Sequence, residues 1–297
     1  MAVRTLVLGG GLVGSAVAHH TDGLIAQGIR WGDTRAAIAD LRLAVLQHRS
    51  QGGQWSIAWC AGAGIVASAK PQLDDETRML SAVLDAIGET RSAGRFLFTS
   101  SGGGMHGGNL SLRINENTVP APTSPYGWAK WEQENLVAQW AERTSNAVVI
   151  VRPSNVYGPG QRLSKPQGFI SQLLWKIVNK EPLMLSVPWS TQRDFIYADD
   201  AGRRMAFLLA NAQPGVNRRI VASGRSVTLS HVVAISRQIT GINPDVIVTE
   251  DIGVHPAVLR FGTVHEPFDP QIPLKRGMME TWDYLLNVAR HPARGAQ

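Results

Sequence analysis

The sequence predicts an α/β protein built on a doubly wound parallel sheet, with a smaller lobe towards its C-terminal end. Short apolar segments of strand length alternate with longer amphipathic segments of helix length, which is the pattern of repeated βαβ units. The first apolar segment runs directly into a glycine-rich turn that opens a helix. Beyond residue 152 the sequence becomes richer in turns, and this change predicts the second lobe.

Composition narrows the class of protein. The length of 297 residues, a hydrophobic fraction of 44% and a charged fraction of 18% are typical of a folded chain with a large core. The single cysteine, Cys60, excludes an intramolecular disulfide framework and suits a reducing cytosol, so a cytoplasmic protein is expected. No secretory signal and no apolar run of transmembrane length is visible, so no membrane partner is expected. The net charge of +6 comes from scattered basic residues, so no nucleic-acid partner is expected.

The glycine-rich turn carries the first functional signal. A buried strand is predicted over 3–8, and the turn 9–14 that follows has the spacing G-x-G-x-x-G. Glycines at these positions allow a tight turn and a close backbone approach to a pyrophosphate. The helix that begins there offers free N–H groups and the positive end of its dipole. The motif therefore predicts a Rossmann-like dinucleotide site formed by Gly9, Gly11, Leu12, Val13 and Gly14.

A second strand is predicted over 28–31, and Asp33 follows it, 19 residues after Gly14. A carboxylate at about this distance binds the adenosine ribose hydroxyls in dinucleotide-binding folds. Arg30 and Arg35 flank Asp33 and would instead meet a 2′-phosphate, and an aspartate in an exposed loop is an equally simple interpretation. The expected cofactor is NAD, with NADP left open.

The following segments continue the alternation. Helices are predicted over 36–47, 74–89 and 126–143, and strands over 55–61, 95–101 and 147–152. The strand 55–61 leads into the small-residue turn 62–64, which would let backbone pack against a flat ligand. We expect Cys60, Ala61 and Gly62 to contact the cofactor at this turn, and we interpret the thiol of Cys60 as inert core.

The second half of the chain divides between the two lobes. Helices are predicted over 169–179, 201–212, 228–240 and 279–288, and strands over 219–222 and 245–249, with Thr228 as the N-cap of the helix 228–240. We assign 1–155 to a dinucleotide-binding domain, with 192–224 returning to it. Residues 156–191 and 225–297 are assigned to a smaller substrate-binding lobe.

Tyr126 and Lys130 are the candidate chemical pair. Four residues apart on a helix, their side chains share one face about one turn apart. A phenol has an ordinary pKa of about 10, and a nearby cation favours the phenolate. Tyr126 would then transfer protons near neutral pH. The alternative is that both residues are ordinary side chains of an amphipathic helix and have no chemical role.

These motifs together resemble the extended short-chain dehydrogenase/reductase family, the NAD-dependent sugar-nucleotide epimerases and dehydratases. The resemblance runs from the glycine-rich turn to the helix after Asp200. In that family a strand ending in two serines supplies a catalytic serine, as Ser101 would here. The motif SPYGxxK is matched by SPYGWAK, which implies Tyr126 and Lys130 as the other catalytic residues. Lys130 would also hold the nicotinamide ribose.

Two later segments extend the resemblance. RPSNVYGPG and QRDFIYADD match family segments that meet the diphosphate of a nucleotide-sugar substrate. The resemblance implies that Asn155 and Arg193 contact this diphosphate, and that Pro153 and Ser154 lie near the nicotinamide. Ser101 and Tyr126 would both contact the sugar.

The implied chemistry is hydride transfer coupled to proton transfer at a sugar hydroxyl or keto carbon. An epimerase is favoured, because it needs nothing beyond Ser101, Tyr126 and Lys130. A reductase of a 4-keto sugar nucleotide needs the same three residues, and a non-catalytic dinucleotide sensor of this fold is the second alternative. Dehydration is disfavoured, because Ser100 follows Thr99 where the dehydratases carry an Asp-Glu pair.

The sequence also departs from the family pattern. Val7 and Leu8 replace the usual Thr-Gly, the region before the fourth family strand is shortened, and Met105-His106-Gly107 replaces VYG. The R-x-G-D segment that is usual in the family is missing, and the segment most similar to it is 255–262. His106 is either an additional acid/base near the sugar or a solvated loop residue.

The last expectations concern partners. No metal is expected. In the family, the helices equivalent to 74–89 and 126–143 pair into a four-helix bundle, so the resemblance implies a homodimer. The faces expected to pair carry Met79, Val83, Ala86, Leu136, Val137 and Trp140.

Overall fold

The computed structural model describes residues 4–50, 52–62, 64–66, 68–88, 93–109, 113–144, 146–165, 167–249, 258–262 and 271–291. The strands are β1 (Thr5–Leu8), β2 (Leu24–Ile25), β3 (Trp55–Trp59), β4 (Gly94–Thr99), β5 (Ala147–Pro153), β6 (Asn155–Tyr157), β7 (Leu183–Leu185), β8 (Gln192–Tyr197), β9 (Gly215–Val221), β10 (Ser226–Thr228) and β11 (Val246–Val248). The helices are α1 (Leu12–His20), α2 (Thr34–Arg49), α3 (Lys70–Gly88), α4 (Gly102–Met105), α5 (Pro125–Thr144), α6 (Phe169–Asn179), α7 (Ala198–Ala210), α8 (Leu229–Thr240) and α9 (Leu274–Arg290). None of the described helices combines the length and apolar character that a membrane crossing requires.

A six-stranded sheet forms the centre of the fold, with its strands in the order β2-β1-β3-β4-β5-β9. All neighbouring strands in it run parallel. From β1 the sheet grows towards β2 on one side and towards β3 on the other, so the predicted doubly wound parallel sheet is confirmed. A single helix, α2, connects β2 to β3.

Helices cover both faces of this sheet. One face packs against α1 and α7 in a core that contains Val7, Ala58, Leu97 and Met205. The other face packs against α2, α3 and α5. Side chains of a strand point alternately to the two faces, and both faces are covered here, so β1, β3 and β5 are buried along their whole length.

The predicted strand over 28–31 is wrong, because the second strand lies earlier in the chain. Leu24 and Ile25 pair with β1, directly after a turn in which the Gly23 N–H donates to the Ala18 carbonyl. The segment 28–31 instead forms a loop before α2, where Arg30 donates from its backbone and its guanidinium to Asp40. The apolar residues Leu24 and Ile25 form the second strand, whereas the longer segment 28–31 does not.

The helix faces expected to pair between two chains face the sheet of the same chain instead. Met79, Val83, Ala86, Val137 and Trp140 are buried in its core, and Leu136 is partly buried against that core. Five of the six therefore do not form an external surface and were wrong as pairing residues, whereas Leu136 also lines a groove on the outer sides of α3 and α5.

The C-terminal elements build a second core. A three-stranded sheet of order β10-β8-β6 and the pair β11-β7 pack with α6, α8 and α9. The helix predicted over 169–179 is confirmed, and Thr228 caps α8 by accepting from the His231 N–H. The strand β9 joins the large sheet beside β5. The exact division into two lobes stays a prediction.

A buried ion pair joins α5 to the sheet. Arg152 of β5 donates to both carboxylate oxygens of Glu134, over 2.9 Å from Nε and 2.7 Å from Nη2. The two side chains are 2% and 0% exposed, and Arg218 approaches the same carboxylate to 3.7 Å. Paired charges of this kind are costly to separate, because removing one partner leaves the other buried without compensation.

We expect the substitution Glu134→Gln to lower the free energy of unfolding by about 3–5 kcal/mol, since it strands the Arg152 charge. Urea unfolding followed by circular dichroism measures this loss. Glu142→Gln, at an exposed position of the same helix, should change stability by no more than about 0.5 kcal/mol. Equal stability of the two variants would show that the pair does not hold α5 in place.

Candidate active site

A cavity of about 650 Å³ opens at the carboxyl ends of β1, β3, β4 and β5. This edge includes the β1–β3 boundary, where open α/β sheets bind their ligands. The predicted site residues that line the cavity are Gly9, Gly11, Leu12, Val13, Cys60, Ala61, Gly62, Ser101, Tyr126, Lys130, Pro153 and Ser154. The predicted site residues that do not line it are Gly14, Asp33, Asn155 and Arg193.

The three glycines of the turn have different physical roles. Gly9 has φ +106, and a Cβ there would lie 2.5 Å from the backbone nitrogen of Ala61. A Cβ at Gly14 would lie 1.8 Å from the carbonyl oxygen of Gly9, so both glycines are needed to pack the turn against the end of β3. Gly11 has φ −73 and open space around its Cβ position. A Cβ at Gly11 would therefore not clash with the described protein atoms, and it would clash only with a ligand bound at the turn.

Gly11 also caps α1 without a side-chain hydrogen bond. The N–H groups of the first helical turn therefore face the cavity with a partial positive charge, which suits a phosphate. The turn and the helix end together fit a dinucleotide pyrophosphate.

Asp33 has a structural role in this fold. It is the N-cap of α2, and its Oδ1 accepts from the Ala36 N–H over 3.0 Å. At this end the cavity is lined by Trp31, Gly32 and Thr34. Capping is a common use of aspartate at a helix start, and the distance from Gly14 could not distinguish it from a ribose contact.

The end of β3 forms the floor of the cavity beside the glycine turn. Burial raises the pKa of the Cys60 thiol to about 12, and the Thr99 hydroxyl donates to its sulfur over 3.6 Å. A thiol held protonated in this way is unreactive, in agreement with its interpretation as inert core. Gly62 has φ +148, and a Cβ there would lie 3.5 Å from the Lys130 ammonium.

Ser101 and Tyr126 meet where β4 ends and α5 begins. Ser101 caps the short helix α4, its Oγ accepting from the Gly104 N–H over 3.1 Å. The ring of Tyr126 packs on Gly104, where a Cβ would lie 3.0 Å from the ring. Burial raises the pKa of the Tyr126 phenol to about 12, although a hydrogen bond with Ser101 lowers it, and Glu76 raises it further.

Lys130 lies beside the ring of Tyr126, and its ammonium is bound by other side chains. The ammonium lies 5.9 Å from the centre of the Tyr126 ring and donates to Gln133 Oε1 over 3.0 Å. It also lies 3.9 Å from Glu76 Oε2. Burial lowers the pKa of Lys130, and the carboxylates of Glu76 and Glu134 oppose that shift. Lys130 is thus held by α3 and by its own helix.

Glu76 is a cavity residue that the sequence analysis missed. It is buried, and its Oε1 accepts from the Gly64 N–H over 2.5 Å. Its position was a usable signal, because Glu76 falls three and seven residues before Met79 and Val83, on the buried face of α3. A carboxylate on a core-facing stripe is rarely accidental.

Two basic residues of the loop after β6, Arg162 and Lys165, also line the cavity and were not predicted. Burial lowers the pKa of the Lys165 ammonium, with a further lowering by Arg162, while Glu76 raises it. Both add positive charge to the lining of the cavity.

The residues implied as diphosphate contacts are engaged elsewhere. The side-chain amide of Asn155 donates to the Asp194 carbonyl over 2.8 Å. The guanidinium of Arg193 donates to the Gln192 carbonyl, and burial lowers its pKa to about 10. Their roles in substrate binding stay predictions.

Asp194 organises the end of β5. Its buried carboxylate accepts from the hydroxyls of Ser154, over 2.6 Å, and Ser223, and also from the Ser223 N–H. Burial raises the pKa of Asp194, and these hydrogen bonds oppose the shift. The network fixes Ser154 at the cavity wall.

His106 is neither a solvated loop residue nor part of the cavity wall. It is fully buried, and its Nδ1 lies 2.8 Å from the side-chain oxygen of Asn109. Burial lowers its pKa, so the neutral form is favoured. The interpretation as a solvated loop residue was wrong, because the sequence around His106 gave no sign of burial, and a role as an acid/base near the sugar stays a prediction.

Comparison with known proteins finds a matching family and several relatives. The NAD dependent epimerase/dehydratase family matches residues 57–224. A dTDP-L-rhamnose 4-epimerase from Burkholderia thailandensis is 28% identical over 178 residues, which cover 56% of this chain and 48% of that protein. A dTDP-4-dehydro-6-deoxyglucose reductase from Escherichia coli is 30% identical over 140 residues, covering 47% of this chain and 43% of that protein. The matched segments span about half the length of these curated relatives.

Solved structures share the fold over nearly the whole chain. A UDP-glucose 4-epimerase from Thermotoga maritima with UDP-glucose aligns at a TM-score of 0.80 and 20% identity, covering 97% of this chain and 100% of that one. MoeE5 in complex with UDP-glucose and NAD aligns at 0.80 and 20% identity, covering 96% and 99%. The TM-scores of 0.80 demonstrate the common fold, and at 20% identity the likeness extends to the fold alone.

The glycine turn generates a paired prediction. Gly11→Val should leave the melting temperature unchanged, because the Cβ position is open, and should abolish measurable NAD binding by filling the space of the pyrophosphate. Gly14→Ala should lower the melting temperature, because its Cβ overlaps the Gly9 carbonyl. Thermal unfolding and calorimetric titration with NAD separate the two effects. Wild-type NAD affinity in Gly11→Val would remove the turn from the site.

The carboxylate of Glu76 generates a pH prediction. Glu76 raises the pKa of Tyr126, so Glu76→Gln should lower that pKa. If Tyr126 acts as the base, the acidic limb of the kcat/KM profile moves to lower pH. The glutamine keeps an oxygen acceptor for the Gly64 N–H, so the loop should remain in place. Asp75→Asn, a neighbouring cavity carboxylate, serves as the control and should leave the limb unmoved.

Proposed function

This chain belongs to the NAD-dependent epimerase/dehydratase family, and we propose that it is an NAD-dependent epimerase of a nucleotide-activated sugar. The observation that carries the proposal is the meeting of Ser101, Tyr126 and Lys130 in the same cavity as the glycine turn. A hydroxyl, a phenol and an ammonium beside a dinucleotide cradle are the groups that reversible oxidation of a sugar hydroxyl requires.

In the proposed reaction Tyr126 takes the proton of a sugar hydroxyl, and Ser101 hydrogen-bonds the same oxygen as it becomes a carbonyl. When bound, NAD⁺ supplies the hydride acceptor and a positive ring that favours the phenolate. Lys130 holds the nicotinamide ribose and adds positive charge near the phenol. Reversal of both transfers on the other face of the keto sugar gives the epimer.

Two charged residues before α2, Arg30 and Asp33, support NAD over NADP as the cofactor. Arg30 is already engaged by the Asp40 carboxylate, over 2.9 and 2.8 Å, so it does not point to a 2′-phosphate. The negative charge of Asp33, next to the cavity residues Gly32 and Thr34, would repel such a phosphate.

The proposed substrate class and reaction draw on the named relatives. The Thermotoga structure contains UDP-glucose, and the Burkholderia protein is a 4-epimerase of a dTDP-sugar. A keto-sugar reductase is the second candidate, since the Escherichia coli relative is a dTDP-4-dehydro-6-deoxyglucose reductase. We also propose the division into a dinucleotide-binding domain (1–155, with 192–224) and a smaller substrate-binding lobe (156–191 and 225–297). A cytoplasmic location is proposed as well.

We expect Tyr126→Phe to keep its fold and NAD affinity and to lose turnover by a factor of about 10² to 10⁴. Lys130→Met should lose both turnover and NAD affinity, because its ammonium also serves the ribose. The assay is NAD(H)-dependent conversion of a panel of UDP-, GDP- and dTDP-hexoses, with calorimetric NAD titration of each variant. Wild-type turnover by Tyr126→Phe would defeat the enzyme proposal at its centre.

The nucleotide released when purified protein is denatured separates the candidates. Tightly held NAD supports an epimerase, whereas an empty protein that takes up NADPH supports a reductase. If the wild-type protein converts no sugar nucleotide and still binds NAD, the sensor alternative becomes the better account.

We also propose a homodimer, through the outer sides of α3 and α5 rather than through their buried faces. Of the residues expected to pair, Leu136 lies on this surface. A groove of about 870 Å³ lies between the outer sides of α3 and α5, and Trp128, 56% exposed, and Trp131 line it. Trp128→Glu should convert a dimer mass to a monomer mass in light scattering at micromolar concentration, because it places a charge in an apolar contact. A wild-type monomer would contradict the proposal.

A further inference from the structure

A cluster of metal-binding side chains lies between α1 and α7, away from the cavity. His19, His20 and Asp199 each offer one donor atom, and these atoms all lie within 4.8 Å of one another. Two imidazoles and a carboxylate form a donor set that zinc uses in proteins. We infer that these three residues form a binding site for Zn²⁺ or a similar divalent transition metal.

The local geometry is close to what coordination requires. His20 Nε2 lies 2.7 Å from Asp199 Oδ1, and the rings of His19 and His20 have their centres 4.9 Å apart. In a tetrahedral zinc site the donor atoms lie about 3.4 Å from one another, given metal–ligand distances of about 2.1 Å. The present donor separations, from 2.7 Å to at most 4.8 Å, bracket this distance, and the ion would replace the present hydrogen bond between His20 and Asp199.

The two helices that carry the donors are held close together. A Cβ at Gly202 of α7 would lie 2.5 Å from the backbone carbon of Ala16 in α1, so the glycine allows the backbones to touch. This contact fixes His20 opposite Asp199 before any ion arrives. A preformed pair of ligands loses little freedom on binding.

Exposure and charge also suit an ion. The side chains of His20 and Asp199 are 21% and 46% exposed, and His19 is exposed, so water has access to complete the coordination. The negative end of the α1 dipole favours a cation. The positive end of the α7 dipole opposes it with about half a charge, which the full charge of Asp199 outweighs.

The position of the site indicates what it does. His20 lies eight residues after Leu12, so it is about 12 Å along α1 from the glycine turn. An ion there cannot reach the proposed reacting atoms. It would instead clamp α1 to α7 and stabilise the helix whose other end carries the turn. Sequence spacing gave no sign of this site, because His20 and Asp199 are 179 residues apart.

Calorimetric titration of the purified chain with ZnCl₂, in a buffer that does not coordinate metals, tests the inference. We expect saturable binding of one ion per chain, and a rise in melting temperature when the ion is present. His20→Ala and Asp199→Asn should each weaken binding by at least about tenfold. His231→Ala removes an exposed histidine of α8 and should leave the affinity unchanged. Acidification should release the ion, since imidazole must be neutral to bind it.

His19→Ala protects the test against a folding artefact. His19 is exposed, so its removal should leave the metal-free melting temperature unchanged while weakening zinc binding. Absence of binding to the wild-type protein would overturn the inference. Equal affinity in wild type and His20→Ala would overturn it too, because the ion would then be bound elsewhere.

Discussion

The ion pair between Arg152 and Glu134 is the contact on which the position of the candidate site depends. Tyr126, Lys130 and Glu134 lie along one helix, and Ser154 follows the strand that carries Arg152. The bidentate contact therefore fixes the distance between the two sides of the cavity. Charges buried this deeply cost several kcal/mol to desolvate, and only good geometry offsets that cost. The pair adds less to net stability than to a fixed alignment of α5 on the sheet.

A second layer of polar contacts sets the state of the candidate catalytic groups. Lys130 is buried between Gln133 and Glu76, and Gln133 is itself bonded to the Thr77 hydroxyl. Burial raises the pKa of Tyr126 to about 12, and a positive charge placed beside the phenol would oppose that shift.

The features that could be predicted from the sequence are those set by residues close together in the chain. The glycine turn, the alternation of strands and helices, and the pair Tyr126–Lys130 are local patterns, and each lies where the sequence indicated. The burial of His106 depends on packing between distant segments, which leaves no local signal. The same holds for the pairing of Leu24 with β1, which displaced the second strand.

The amphipathic helices show the limit most clearly. An apolar stripe predicts that a face is buried and does not say against what. Val83 and Val137 pack on the sheet of their own chain, although the same stripe fits a contact between two chains. Glu76 was overlooked although its place on such a stripe was a signal, and the stripe alone could not identify its partners, Gly64 and Lys130.

The two border strands of the large sheet, among the described residues, have a consequence for aggregation. One border is β2, a strand of two residues, and Leu24 there is 44% exposed. Strands this short offer few unpaired backbone groups to a passing chain. The opposite border, β9, carries Arg218 and Arg219, whose charges discourage strand addition. Among the residues that the structure describes, both borders of this sheet thus disfavour edge-to-edge pairing.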